Sequence, residues 1–284
     1  MAVIINTNVD SIKIQGNLSS ATSKMSSSMQ KMSTGLKVNS AKDDAAGTVI
    51  SARMKVQLNG NKIAQNNIQN GNAMMSTIEG NLDVVQDNLS RIRDLTLQAK
   101  NGTYSKDEIS AMQDEVAERI KEIDRVSTSS KYSDLVLFED TNMQANGVTF
   151  QVGANADEDN TISASEKIFE SVQFSTLTTR TGVGLNLTKL DAAGFSTALE
   201  NLDTALDNIT ARKSLIGSAQ NRLDSALDTL TIQYENLSSA NSIITDADIA
   251  SEASSFTQQQ ILQQVSTSLL AQANQAPSVA LSLV

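Results

Sequence analysis

Asp43 and Asp44 stand side by side in the chain, and adjacent carboxylates are natural candidates for general acid–base chemistry or a hard-cation site. A second acidic run, Asp157, Glu158 and Asp159, has the composition of a calcium loop. Ser and Lys are common enough to pair as nucleophile and base. There is no His and no Cys, which removes the commonest general base, the commonest zinc ligand, thiolate sites and disulfides. Consecutive residues of a helix do not face the same way, and no third ligand lies near Asp43 and Asp44 in sequence. No Ser/Lys pair sits in a Gly-rich nucleophile context. The Asp pair reads better as negative charge at a helix start, where it complements the macrodipole. The 157–159 run reads as a solvated turn. No catalytic, cofactor-binding or metal-binding residue is assigned; a carboxylate-dependent enzyme stands as a distant alternative.

The elements that must position any site follow from composition and period. The 284 residues are 39% apolar but only 3% aromatic, without Trp, which argues against one large compact core. The formal charge of −10 disfavours nucleic acid as a partner, because phosphates need a basic footprint. Val3, Ile4 and Ile5 are followed by polar residues, without a basic n-region or a long apolar core, so no secretory signal is read. Either a cytoplasmic protein or export by a machine that uses no cleaved signal fits that start. The one proline, Pro277, leaves room for very long helices.

Two matched runs of alternating four- and three-residue steps dominate the chain. The first links Ile50, Met54, Gln57, Asn61, Ala64, Ile68, Gly71, Met75, Ile78, Leu82, Val85, Leu89, Ile92, Thr96 and Ala99. The second links Ala198, Leu202, Ala205, Ile209, Arg212, Ile216, Ala219, Leu223, Ala226, Leu230, Gln233, Leu237, Ala240, Ile244 and Ala247. Each would make roughly 75 Å of helix at the α-helical rise. Phase kept this long predicts coiled-coil packing, and the equal lengths predict that the runs lie side by side.

A third helix is expected over Lys106 to Val126, opened by a Ser105/Glu108 capping box. Asn101-Gly102 supplies the turn before it. Ile14, Leu18, Ala21, Met25, Met29, Met32 and Leu36 mark an N-terminal helix. From about 131 to 188 the helical period lapses: 135–138, 148–152 and 172–174 read as short strands, with Asn146-Gly147 and Ala156 to Asn160 as turns. The expected fold is mainly α: a long antiparallel coiled-coil helical rod, a small β-hairpin region, and terminal helices in a separate coiled-coil segment. The expected domains are 1–46 with 248–284, and 47–247 carrying the β insert.

The last 32 residues, from Ala253, carry no charged side chain, yet Ile261, Val265 and Leu269 keep helical spacing. Five glutamines between 258 and 264 make this stretch too polar to span a bilayer. It is also too poor in charge for an ordinary surface helix. Burial by other protein on several sides suits it best, with Ile14, Leu18, Met25, Met32, Ile261, Val265, Leu269, Leu281 and Leu283 as candidate assembly residues. Too little apolar surface is available within one copy to offset the ordering entropy, so both termini are expected to be disordered in the monomer.

Several segments together resemble the bacterial flagellins. They are Ile5-Asn6-Thr7-Asn8, the stretch Ser33 to Gly47, Phe150 to Asn155, Ala219 to Leu223, Asp246-Ala247-Asp248, Ile261 to Gln264, Leu270 to Gln275, and Leu281-Ser282-Leu283. The resemblance covers 1 to about 155 and about 195 to 284. It implies an extracellular filament subunit of the bacterial flagellum, exported unfolded and assembling with its own copies for motility. About forty residues separate Asn155 from the second run, which implies a short form without outer variable domains. Implied partners are an export chaperone at the C-terminal helix, the hook-filament junction and cap proteins, and a host Toll-like receptor reading Arg91, Leu95 and Glu115. O-glycosylation of the β insert is a further implication. A hook-filament junction protein of the same superfamily is the alternative.

Overall fold

The computed structural model describes residues 7–178 and 185–281, the side chains of 276–281 excepted. Among the described residues seven α-helices and four strands follow in the order α1 (Val9–Thr34), α2 (Ala45–Ala99), α3 (Lys106–Ser129), β1 (Lys131–Tyr132), β2 (Leu135–Val136), α4 (Thr141–Asn146), β3 (Val148–Gln151), β4 (Thr161–Ala164), α5 (Phe174–Leu177), α6 (Ala192–Thr245) and α7 (Ile249–Leu281). Contacts divide the chain into two compact units: 1–58 with 235–284, and 59–234.

The 59–234 unit is built on the paired heptads. Asn72 bonds Asp224 at 2.7 Å, Gln220 bonds Ser76 at 3.4 Å, Lys213 bonds Asp83 at 2.5 Å, Arg93 bonds Asp203 at 2.5 Å, and Lys100 bonds Ser196 at 3.3 Å. Each step up one helix is matched by an equal step down the other, so α2 and α6 are antiparallel at one constant register. Along α2 every heptad position from Asn61 to Ala99 is buried, and along α6 every one from Ala198 to Leu223. α3 closes the core with Val116, Ile123 and Val126. Its capping box is formed in both directions: Glu108 N–H donates to Ser105 Oγ at 3.3 Å, and Ser105 N–H donates to Glu108 Oε2 at 2.7 Å. The carboxyl of Glu108 is held below its usual range by that backbone donor.

The β insert is two separate antiparallel hairpins. β1 pairs with β2 through Lys131–Val136 and Tyr132–Leu135; β3 pairs with β4 from Val148–Ala164 to Gln151–Thr161. Gly147 enters β3 at φ +67°, where a Cβ would also collide with the Ala164 carbonyl. Two helices, α4 and α5, were not read from the sequence. The strand expected at 172–174 is absent: Phe174 opens α5, its N–H donating to Asp124 Oδ1 at 2.9 Å. Val172 and Phe174 are both buried, so the apolar run reflects anchoring in the helical core rather than a sheet face. Leu137 and Phe138 likewise leave the hairpin after β2 and are fully buried.

Arg212 occupies a heptad core position and is only 6% exposed. Its guanidinium donates to the Glu170 carbonyl at 2.7 Å and to the Glu170 carboxylate at 3.0 Å, fastening the end of the β insert to α6. Burial lowers its pKa, partly offset by Glu170; the group stays charged, as guanidinium does in proteins.

In the other unit α1 and α7 pair antiparallel. Asn8 Nδ2 donates to the Ala273 carbonyl at 2.7 Å, Ser11 to Asn274 at 2.9 Å, Gln263 to Thr22 at 3.4 Å, and Lys31 to Glu252 at 3.1 Å. α1 is capped by the Asn8 side chain and ends at Gly35, φ +71°. The two connectors are stitched together: Lys37 N–H donates to the Thr245 carbonyl at 2.7 Å and Ala247 N–H to the Gly35 carbonyl at 2.9 Å. That stitch ends α6 at Thr245, two residues before the expected Ala247. The described residues of both terminal segments are thus helical and paired with each other, although only Ala21 and Ser28 of α1 are buried. Capping and cross-helix polar bonds join the two helices where apolar burial between them is thin.

Replacing Arg212 by Ala leaves the Glu170 carbonyl without its donor and opens a cavity in the seam. A loss of about 2–4 kcal/mol is expected in denaturant unfolding. Arg212→Met, which keeps the volume, should lose less than half as much.

Candidate functional site

The terminal helices present two unlike faces. On α1 the residues turned toward α7 are Ser11, Ile14, Leu18, Ala21, Met25, Ser28 and Met32, a heptad seam of small and apolar side chains. On α7 the more covered residues are Glu252, Phe256, Gln259, Gln263, Ser266, Leu270 and Ala273, again in steps of four and three but largely polar. Ile261, Leu262, Val265 and Leu269 point the other way and are 44–55% exposed. The strongly apolar side of α7 is thus its outer side.

The candidate assembly residues divide accordingly. Ile14, Leu18, Met25 and Met32 are spent within the chain on the α1–α7 seam, whereas Ile261, Val265 and Leu269 are open. The side chain of Leu281 and the whole of Leu283 lie outside the described residues, as do Ile5 and Asn6 of the opening motif. Two outer residues of α1 belong with the open ones: Ile12, which the sequence reading did not single out, is 60% exposed, and Met29, which it placed in one stripe with Leu18 and Met25, is 52% exposed. A helical wheel drawn with the seam fixed by Leu18 and Met25 would have found them. Sequence reading also missed the Lys31–Glu252 pair, although these are among the few charges left in two charge-poor segments. The carboxyl of Glu252 ends below its usual range because the Lys31 and Ser28 hydrogen bonds outweigh the opposing effect of burial.

On the 59–234 unit, Arg91 and Glu115 meet as a two-pronged pair, Nε to Oε1 at 2.8 Å and an Nη to Oε2 at 3.1 Å. Arg119 adds a third bond to Glu115 at 3.1 Å and donates to Asn88 Oδ1 at 3.0 Å. The Arg91 guanidinium keeps the Glu115 carboxyl below its usual range, and Glu115 raises Arg91 in return. Leu95 is not part of this surface. It is 2% exposed and packs in the core beneath it. One helical turn separates it from Arg91, and the chain there uses that turn to face α3 and α6 rather than solvent.

Asp43 and Asp44 do separate jobs. Asp43 Oδ2 accepts from the N–H groups of Asn39 and Ser40 at 3.1 and 2.9 Å, closing the connector, and those donors depress its pKa. Asp44 Oδ1 accepts from Gly47 N–H at 2.9 Å and so caps α2. Among the described residues no three His, Cys, Asp or Glu side chains gather into a metal-sized group. Among them, too, no helix is long and apolar enough to cross a membrane.

Residues 5–143 match the bacterial flagellin N-terminal helical region, and residues 199–284 match the bacterial flagellin C-terminal helical region. The flagellin of Xenorhabdus nematophila is 36% identical over 315 aligned positions, which take in all of both chains. The chain belongs to the bacterial flagellins. The Bacillus subtilis flagellin is 34% identical over 99% of each chain. A Vibrio parahaemolyticus structure described as a flagellar hook-associated protein shares the fold, at a TM-score of 0.58 and 17% identity, over 71% of this flagellin and 99% of that chain. This flagellin is therefore a structural subunit of the flagellar filament, located outside the cell, in a family whose subunits polymerise with one another.

The Glu115 shift predicts an acid limb of stability. A carboxyl depressed by folding stabilises fully above its ordinary value of 4.5 and loses that contribution as pH falls below it. With no His to titrate, the melting temperature should be flat from about pH 5.5 to 8 and fall below about pH 4.5. In Glu115→Gln the fall should be shallower; an identical acid limb in the variant would remove Glu115 from the account.

Proposed function

We infer that the terminal helices, within residues 1–46 and 248–284, are the assembling element of the subunit, and that the outer face of α7 is its main adhesive surface. The observation that carries this is the orientation of α7, which keeps Gln259, Gln263 and Ser266 toward α1 and leaves Ile261, Leu262, Val265 and Leu269 uncovered. Completing the burial of each half-exposed Leu or Ile is worth about 1 kcal/mol at ordinary transfer values. Because α7 of one copy meets a different surface of the next, the contact is heterologous and propagates as a helix instead of closing. Export unfolded fits a chain without cysteine, which has no disulfide to form or break, and growth at the filament tip would order the arms as they dock.

The same uncovered face is the natural site for an export chaperone, which would shield it until release. Cap and hook-filament junction proteins would meet the subunit through these terminal helices as well. The chain acts by binding its neighbours and carries out no catalysis. A host Toll-like receptor would read the Arg91–Glu115 surface, with Leu95 supporting Arg91 from below rather than touching the receptor. A role as hook-filament junction protein predicts shared terminal helices without long self-polymers, so electron microscopy of the purified protein in precipitating salt separates the two; long uniform filaments favour the filament subunit.

Val265→Ser combined with Leu269→Ser should abolish salt-induced pelleting while leaving the melting of the 59–234 unit unchanged. Normal filaments from this variant would overturn the assignment. In a receptor reporter assay Arg91→Ala should lose signal; Leu95→Ala should lose both signal and thermal stability. Unchanged signalling by Arg91→Ala excludes that face. Limited proteolysis should trim both ends of the monomer and spare the polymer.

A further inference from the structure

Four Asn-Gly pairs occur in the chain, at Asn59-Gly60, Asn70-Gly71, Asn101-Gly102 and Asn146-Gly147. In such a pair the main-chain nitrogen of the glycine lies one five-membered ring away from the asparagine Cγ, and glycine offers no Cβ to block the approach. Ring closure also needs a nitrogen not committed to a hydrogen bond and a backbone free to rotate. Three of the pairs lack both. Asn59-Gly60 and Asn70-Gly71 lie inside α2, where the glycine N–H groups belong to the helix ladder. Their glycines are also pressed against Ala154 and Phe150. Asn146 ends α4, and Gly147 N–H donates to the Met143 carbonyl at 2.9 Å.

Asn101-Gly102 is different. It lies in the turn between α2 and α3, and both residues are exposed. Among the described residues, no hydrogen bond engages the Gly102 N–H or the Asn101 side chain; Asn101 uses only its main chain, toward Gln98 and Tyr104. No atom lies within 4 Å of the place a Gly102 Cβ would take.

We propose that Asn101 is a site of spontaneous succinimide formation and deamidation. The Gly102 nitrogen gives its proton to hydroxide and bonds to Asn101 Cγ. The bond from Cγ to the side-chain nitrogen breaks, that nitrogen takes a proton from water and leaves as ammonia, and hydroxide is regenerated. Water then opens the ring at one of its two carbonyls, leaving aspartate or an isoaspartate whose main chain runs through the former side chain. The net change exchanges an amide for a carboxylate between Lys100 and Lys106 and consumes one water. In an extracellular subunit the product accumulates with time, so this turn records the age of the protein.

The test is incubation of the purified full-length chain at mildly alkaline pH, followed by peptide mass spectrometry of all four pairs and chromatographic separation of isoaspartyl products. Conversion at Asn101 should outpace Asn59, Asn70 and Asn146 by at least about tenfold, since those sites react only through local opening. In denaturant the four rates should converge. Comparable rates in the folded chain, or a preference for Asn101 that persists undiminished in denaturant, would overturn the proposal. Gly102→Ala should slow the reaction at Asn101 without altering the other three pairs.

Discussion

The constant antiparallel register between α2 and α6 is the constraint on which the 59–234 unit depends. A coiled-coil seam fixes phase through many small fits, each knob being placed by the hole opposite. Here the seam also fixes the polar rim, because Asp83 meets Lys213 and Arg93 meets Asp203 only at this register. A slip of one heptad would keep apolar residues in the seam but would part both ion pairs. Such exposed pairs add little stability each, so they select the register more than they strengthen it. Arg212 does the same from inside. In any other register its buried guanidinium would be carried away from the Glu170 carbonyl, and an unpaired buried charge is far costlier than a lost surface contact.

The β3–β4 hairpin meets α2 at two glycines. Gly71 lies against Phe150 and Gly60 against Ala154, so the β3–β4 hairpin approaches α2 where the helix has no side chain. Glycine in a helix interior costs about 1 kcal/mol relative to alanine. The cost is offset by the cluster that forms there, in which Val152 and Ile162 of the insert join Ala64, Ile68, Leu223 and Leu230. Small segments with little core of their own are thereby held as part of the helical core.

The regular part of this fold was legible in the sequence because a periodic cause leaves a periodic trace. The heptads located α2 and α6, Ser105 with Glu108 located the start of α3, and the turn expected at Ala156 to Asn160 lies between β3 and β4. What escaped was decided by single long-range bonds. Phe174 reads as a strand residue until Asp124, fifty positions away, captures its N–H. Ile261, Val265 and Leu269 read as an apolar stripe, and a stripe does not say whether it faces its own chain or another. That choice was made by α1, whose seam meets the glutamine side of α7. Leu95 was misplaced on the surface for the same reason: a motif gives residues in order, and burial is set by which helix lies above them.

Charge is distributed unevenly between the termini and the rest of the chain. The last 32 residues carry no charge, and the first 36 carry only Asp10, Lys13, Lys24 and Lys31, so the formal −10 of the chain resides elsewhere. Of those four, Lys31 is neutralised within the chain by Glu252. Copies of an acidic protein repel one another, but that repulsion falls on surfaces bathed in solvent, where salt of ordinary strength confines it to about 10 Å. The terminal segments proposed to pack against other copies carry almost none of it. Their glutamine, serine and threonine side chains can exchange water for one another at small net cost, whereas a desolvated carboxylate could not. On the proposed assembly, the acidic remainder of the subunit would hold free copies apart in dilute salt, while its nearly uncharged arms would let packed copies close with little charge to bury.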